Sequence, residues 1–204
     1  TPAPMPGNAT VAAARQVGDL AWAGQHAKAI ELATRLLAGP RLSTAEQIEL
    51  LDLRAESFVA QGDLDRAGAD ADVMLGLAKS ARTAEFMAQA LNRRALVETR
   101  NGAYKAAVTT ATAALRAARR SKRTPLIAMS LFRLAEAQMR ETLTEQSVAN
   151  ATRSAELFDR LGDASGHGRA QWVLATALSN LGRAAETDRA ASRVASTRIA
   201  EVEN

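Results

Sequence analysis

The chain has no cysteine, so disulfides, thiol nucleophiles and cysteine metal sites are excluded. It has only two histidines, His26 and His167, and aromatic residues make up only 3% of it. Its 47% hydrophobic content is therefore largely alanine and aliphatic residues, a composition that favours helix and close helix–helix approach. Proline is scarce inside the periodic segments. Pro2, Pro4 and Pro6 fall in the opening "TPAPMPGNAT", while Pro40 and Pro125 sit between apolar runs. No run of ~18 apolar residues is present, which argues against a transmembrane helix. The beginning has neither an initiator Met nor a signal-peptide pattern, and residues 1–7 read as a Pro-rich linker or chain edge. The expected location is cytoplasmic, which the lack of cysteine fits. The final "RVASTRIAEVEN" stops inside a helical pattern and predicts that the chain is a fragment of a longer protein.

Charge offers little more. Net charge is +4, with 22 arginines, 4 lysines and 22 acidic residues interspersed. A pI near 10.1 hints at anionic partners, but so small a net charge over this length does not demand one.

What the chain does have is a repeat. Ala55, Ala95, Ala135 and Ala175 stand forty apart. Four positions earlier are Leu51, Leu91, Leu131 and Gln171; seven later are Gly62, Gly102, Thr142 and Gly182. Small residues follow at Ala67, Ala107, Ser147 and Thr187, and again at Ala71, Ala111, Ala151 and Ala191. A weaker first copy fits with a two-residue slip, through Val17, Gly24, Ala29 and Ala33. Each internal Gly reads as the C-cap between two helices. The stretches "AGPRLST", "KSART", "RSKRTP" and "RLGDASG" supply helix breakers and starts between copies. The spacing predicts ten antiparallel helices near 8–23, 25–38, 43–61, 63–80, 83–101, 103–121, 124–141, 143–161, 165–181 and 183–201. One pair cannot bury its apolar face alone, so stacked copies should form an all-α solenoid of about five helix pairs, at 8–40, 43–81, 83–122, 124–161 and 165–201.

At these residues the chain resembles the tetratricopeptide repeat (TPR) family. Leu51, Ala55, Phe58, Gly62, Leu64, Ala67 and Ala71 carry the likeness in the second copy. Leu91, Ala95, Gly102, Tyr104, Ala107 and Ala111 carry it in the third. The family's early Trp is Leu or Gln here, its closing Pro is missing, and the period is 40 instead of 34. The longer period is similar to the extended repeats of kinesin light chain and of bacterial signalling proteins. The resemblance implies a right-handed superhelix whose first helices line a concave, peptide-holding face. Carried over copy by copy, that face comprises Glu49, Asp52, Leu53, Glu56 and Val59, then Gln89, Asn92, Arg93, Thr99 and Arg100. Met129, Phe132, Arg133, Glu136, Met139 and Arg140 follow, then Arg169, Trp172, Val173, Thr176 and Ser179. Trp22 holds the groove position of the first copy, or else packs in the core.

The arginines add a feature of their own. Arg93 and Arg133 are forty apart, as are Arg100 and Arg140, so they should form two rungs on one face. Like charges so placed cost energy unless an anion or a carboxylate separates them. Two readings stand. In one, the rungs grip an acidic or C-terminal peptide segment, with Phe132 and Trp172 anchoring an apolar side chain. In the other, Glu56, Glu136 and other local acids neutralise them, Glu136 being spaced to pair with either Arg133 or Arg140.

Nothing points to catalysis or a cofactor. The two histidines lie in different copies, and His167 in "SGHGRA" reads as a loop or helix-start residue. "GDASGHG", 162–168, lacks the strand and the Lys-Ser/Thr of a phosphate loop and reads as a linker. The basic run "RAARRSKR", 116–123, reads as a solvated helix end suited to the helix dipole; a nucleic-acid patch would carry interleaved aromatics. The expected function is a non-catalytic protein-interaction scaffold or sensor segment of a bacterial signalling protein. Self-association to a homo-oligomer, nucleic-acid binding and a small-ligand or peptide receptor are the alternatives.

Overall fold

The computed structural model describes residues 6–39, 42–182, 186, 187, 189 and 191–193. Among these, nine helices follow one another: α1 (Pro6–Trp22), α2 (His26–Leu37), α3 (Thr44–Ala60), α4 (Leu64–Ala81), α5 (Ala84–Arg100), α6 (Tyr104–Ser121), α7 (Thr124–Arg140), α8 (Thr144–Leu161) and α9 (Ala164–Asn180). The described residues between 186 and 193 are helical too, where the tenth helix is expected; the rest of it lies outside the described residues. No described residue is in a strand.

The turn chemistry explains the regularity. Helices α1, α3, α5 and α7 each close with a paired hydrogen-bond motif in which a left-handed residue follows the C-cap. At the end of α3 the Gly62 amide donates to the Val59 carbonyl (3.1 Å) and the Asp63 amide to the Phe58 carbonyl (2.9 Å). The same pair recurs forty residues on, from Gly102 to Thr99 and from Ala103 to Glu98. A φ of 77° at Gly102 needs no Cβ; in the next copy Thr142 holds φ 66° with a branched side chain. Starts are fixed separately. Ser43 and Glu46 form a reciprocal capping box on α3, and Asp63 and Asp163 cap α4 and α9.

Consecutive helices pack throughout, and the odd helices also touch the next odd helix: α1 with α3, α3 with α5, α5 with α7, α7 with α9. No even helix touches another even helix. The odd helices thus form the inner, tighter layer of a curved stack and the even helices the outer layer, as the repeat predicts. The small positions make this approach possible. Ala55, Ala67, Ala71, Ala95, Ala107, Ala111, Ala135 and Ala151 are all buried. Ser147, at the Ala67 position, is also buried and donates its hydroxyl to the Ala135 carbonyl (2.8 Å). Hydrophobic clusters form between neighbouring helices along the array rather than one central core, and the last joins α7, α8 and α9 through Phe132, Met139, Phe158, Val173 and Leu174.

Two features of the sequence reading need correction. The "GDASGHG" stretch is not a linker: Gly162 caps α8, and residues from Ala164 onward are already helical. Gly166 is there because α9 presses on α8, and a Cβ at this position would collide with the Phe158 ring. His167 then lies within the first turn of α9, its Nδ1 3.0 Å from the Ala155 carbonyl oxygen. Likewise α1 begins at Pro6, inside the stretch expected to be linker, which suits proline at a first helical position.

Candidate functional site: the concave groove

Two adjoining cavities open on the inner face. The larger, about 690 Å³, is bordered by Glu56, Val59 and Ala60 of α3, Leu96 and Arg100 of α5, Phe132, Arg133 and Glu136 of α7, and Ser165, Arg169 and Trp172 of α9. The smaller, about 410 Å³, adds Trp22 of α1, Asp52 of α3, Gln89, Asn92 and Arg93 of α5, and Met129 of α7. Glu56, Arg133, Ser165 and Arg169 border both, so the cavities form one groove. Helices α3 and α9 do not touch, yet they face each other across it.

The arginines of this groove divide into two kinds. Arg93 is 6% exposed and bridges copies two and three. Its Nε donates to Asp52 (2.7 Å) and its Nη2 to Glu56 (3.2 Å), both on α3. Burial opposes its charge, but Asp52 and then Glu56 outweigh that, holding its pKa above the ordinary arginine value. Arg133, the equivalent residue one copy on, has a single carboxylate partner, Glu136 at 3.0 Å. Arg100 shares that same carboxylate at 3.7 Å. Burial depresses the Arg133 pKa; Glu136 opposes this, and the neighbouring charges of Arg93 and Arg169 add to the depression. Arg133 and Arg169 lie over one aromatic ring, Phe132, at 4.9 and 5.8 Å from its centroid.

Beside them stand polar groups with no partner. Asn92 is 6% exposed, and neither its Oδ1 nor its Nδ2 has a hydrogen-bond partner. Gln89, one turn earlier, has an unpartnered Oε1, and Arg93 an unpartnered Nη1. All three border the smaller cavity. An unpaired buried amide costs about 1–3 kcal/mol.

Seven of the eight central residues expected from sequence border these cavities: Asn92, Arg93, Arg100, Phe132, Arg133, Glu136 and Trp172. Arg140 does not; it is exposed at the end of α7 and joins no ion pair among the described residues, while Glu136 pairs with Arg133 and Arg100. Three further expected residues, Thr99, Met139 and Val173, are buried and border neither cavity. Val173 occupies the position of Arg93 and Arg133, but a short apolar side chain turns into the core where a long one reaches the groove. Trp22 is 81% exposed and lines the groove, which settles the choice left open for it. Sequence reading missed Ser165 and Gly168 because their stretch was taken for a linker. The forty-residue register carried the signal, since Pro125 and Ala128 already stood in the first turn of α7.

Comparison with known proteins bears on the fold. No protein-family model and no curated sequence matches the chain. Solved structures do. A Rap protein complexed with competence and sporulation factor aligns with a TM-score of 0.80 at 14% identity, over 89% of this chain and 52% of its own. Bacillus thuringiensis PlcR, in complex with the peptide PapR7 and DNA, aligns with a TM-score of 0.77 at 14% identity, over 96% of this chain and 72% of its own. TPR-like repeats assigned to a kinesin light chain of Podosopora anserina align with a TM-score of 0.66 at 16% identity, over 95% and 96%.

The fold is that of TPR-like repeat proteins. This chain spans about half the length of the Rap structure. The outer-layer basic run, Arg116 to Arg123, lies away from the groove. Its Arg116, Arg119, Arg120, Lys122 and Arg123 are exposed at the end of α6 and beyond, and Arg123 reaches Glu85 at 3.7 Å. No described helix is long and apolar enough to cross a membrane, and no cluster of described residues could hold a metal ion.

Proposed function

We propose that this chain is a non-catalytic capture module that holds a peptide segment of a protein partner in its concave groove. The segment is acidic or ends in a free carboxylate. The observation that carries this reading is Asn92: a buried carboxamide bordering the groove, with neither its donor nor its acceptor hydrogen-bonded. A peptide bond offers the complementary pair, a carbonyl for Nδ2 and an amide N–H for Oδ1. Arg133 shares its one carboxylate with Arg100, and Arg169 joins no ion pair among the described residues, which favours an anionic segment. Two aligned proteins, Rap and PlcR, were solved with a bound factor or peptide, which supports a peptide as the ligand and a role within a larger bacterial signalling protein.

The test is a soluble pool of random peptides passed over immobilised wild-type chain and over Asn92→Ala, with bound peptides read by mass spectrometry. Wild type should enrich acidic or carboxylate-ended peptides. Asn92→Ala should lose that enrichment while melting no lower than wild type, because it removes unpaired polar atoms and no hydrogen bond. Equal enrichment on both baits sinks the groove reading.

A further inference from the structure

The chain has two tryptophans, and both are exposed in the groove: Trp22 at 81% and Trp172 at 47%. Only two other large hydrophobic residues among those described are exposed, Val73 on α4 and Leu161 at the end of α8. Trp22 ends α1 in the first copy, while Trp172 lies midway along α9 in the fifth. Helices α1 and α9 do not touch. An indole left in water at such a place is the usual anchor of a binding surface.

Trp22 borders the smaller cavity and Trp172 the larger. Arg133 and Arg169 border both, as does Glu56, which is paired with Arg93, so this stretch lies between the two indoles. Its cations are short of partners. Arg133 shares its one carboxylate with Arg100, and no ion pair among the described residues includes Arg169. Phe132 beneath both guanidinium groups holds them without neutralising them.

We infer that the groove selects peptides with an apolar–acidic–apolar pattern, one apolar side chain on Trp22, one on Trp172, and a carboxylate between them against Arg133 and Arg169. This inference rests on the reading that the groove takes a peptide, and adds which peptides. Each apolar side chain removes indole surface from water, and the carboxylate supplies the anion that the two arginines lack. The two contacts lie on copies one and five, so both are made only by a ligand that spans the groove.

The experiment uses the intact chain labelled with nitrogen-15, in which the two indole N–H groups give two separate signals. The probes are acetyl-Leu-(Gly)n-Asp-(Gly)n-Leu-amide peptides with one to three glycines in each spacer, so that aspartate carries the only charge. The expected result is one spacer length that moves both indole signals along a single saturable curve. Replacing either Leu by Ala should silence one indole and weaken binding roughly tenfold. Replacing Asp by Asn should weaken it by a similar factor in wild type and by a clearly smaller factor in Arg169→Gln, where only Arg133 remains to meet the carboxylate. Three results overturn the inference: only one indole ever moves, Asp and Asn peptides bind alike, or no peptide of the series binds. Enrichment from the random pool by wild type over Asn92→Ala would then show that the broader groove reading survives. Loss of that enrichment too would end both.

Discussion

Arg93 and Arg133 stand forty residues apart, at the same position of neighbouring copies, and their surroundings differ in sign. Arg93 has two carboxylates from the preceding inner helix, Asp52 and Glu56. Arg133 looks back on Asn92 and Leu96 at those positions, so no acid waits for it there. It turns to Glu136 on its own helix and meets the charges of Arg93 and Arg169 instead. The same residue in the same repeat slot is therefore a strut at one junction and an underpaired cation at the next. A repeat fixes where a side chain stands; the copy before it fixes what that side chain can do.

The largest effect should come from breaking the strut. Arg93→Ala removes the bridge between α3 and α5 and should cost about 2–4 kcal/mol in urea unfolding, toward the lower end because Asp52 and Glu56 keep access to water. A loss under about 1 kcal/mol would mean the pair is not structural. Next comes Gly166→Ala, which forces a methyl group against Phe158 where α9 meets α8; about 1–3 kcal/mol should be lost, read from the same curves. Arg133→Gln is the direct counterpart of the first variant. It should cost about 1 kcal/mol or less, because it also relieves repulsion from Arg93 and Arg169, while weakening capture of acidic peptides roughly tenfold. If Arg133→Gln destabilises as much as Arg93→Ala, the contrast between the two junctions is wrong. The smallest change should be a gain. Thr142→Gly replaces a branched residue at φ 66° with the residue that other copies use there, and should raise stability by up to about 1 kcal/mol, visible as a higher melting temperature.

The helices were legible because their signals are local. Gly62 and Gly102 mark left-handed turns, Ser43 and Asp63 mark starts, and every expected boundary for α1 to α9 falls within three residues of the observed one. The failures were local too. Gly166 looked like a breaker, yet it serves close packing against Phe158, a contact no short-range pattern announces. The groove was legible in outline, since equivalent positions on inner helices must share a face. Its pairing was legible in part: Glu56 and Glu136 were expected to neutralise arginines and do, at Arg93, Arg133 and Arg100, but the place of Arg169 was not. Arg169 stands 36 residues after Arg133, outside the forty-residue rung, and only the packing of α9 beside α7 brings both over Phe132.

By itself, then, the sequence determined the repeat unit, the helix pairs and the small residues that let inner helices approach, because turns, caps and alanine positions act over one or two turns of chain. Tertiary structure alone decided that Arg169 shares the Phe132 ring with Arg133, which amides are left unpaired, and that Trp22 stands exposed at the groove and not in the core. Those outcomes depend on curvature and on which copy faces which, and curvature is the sum of small rotations at every junction, none of them readable from a single copy.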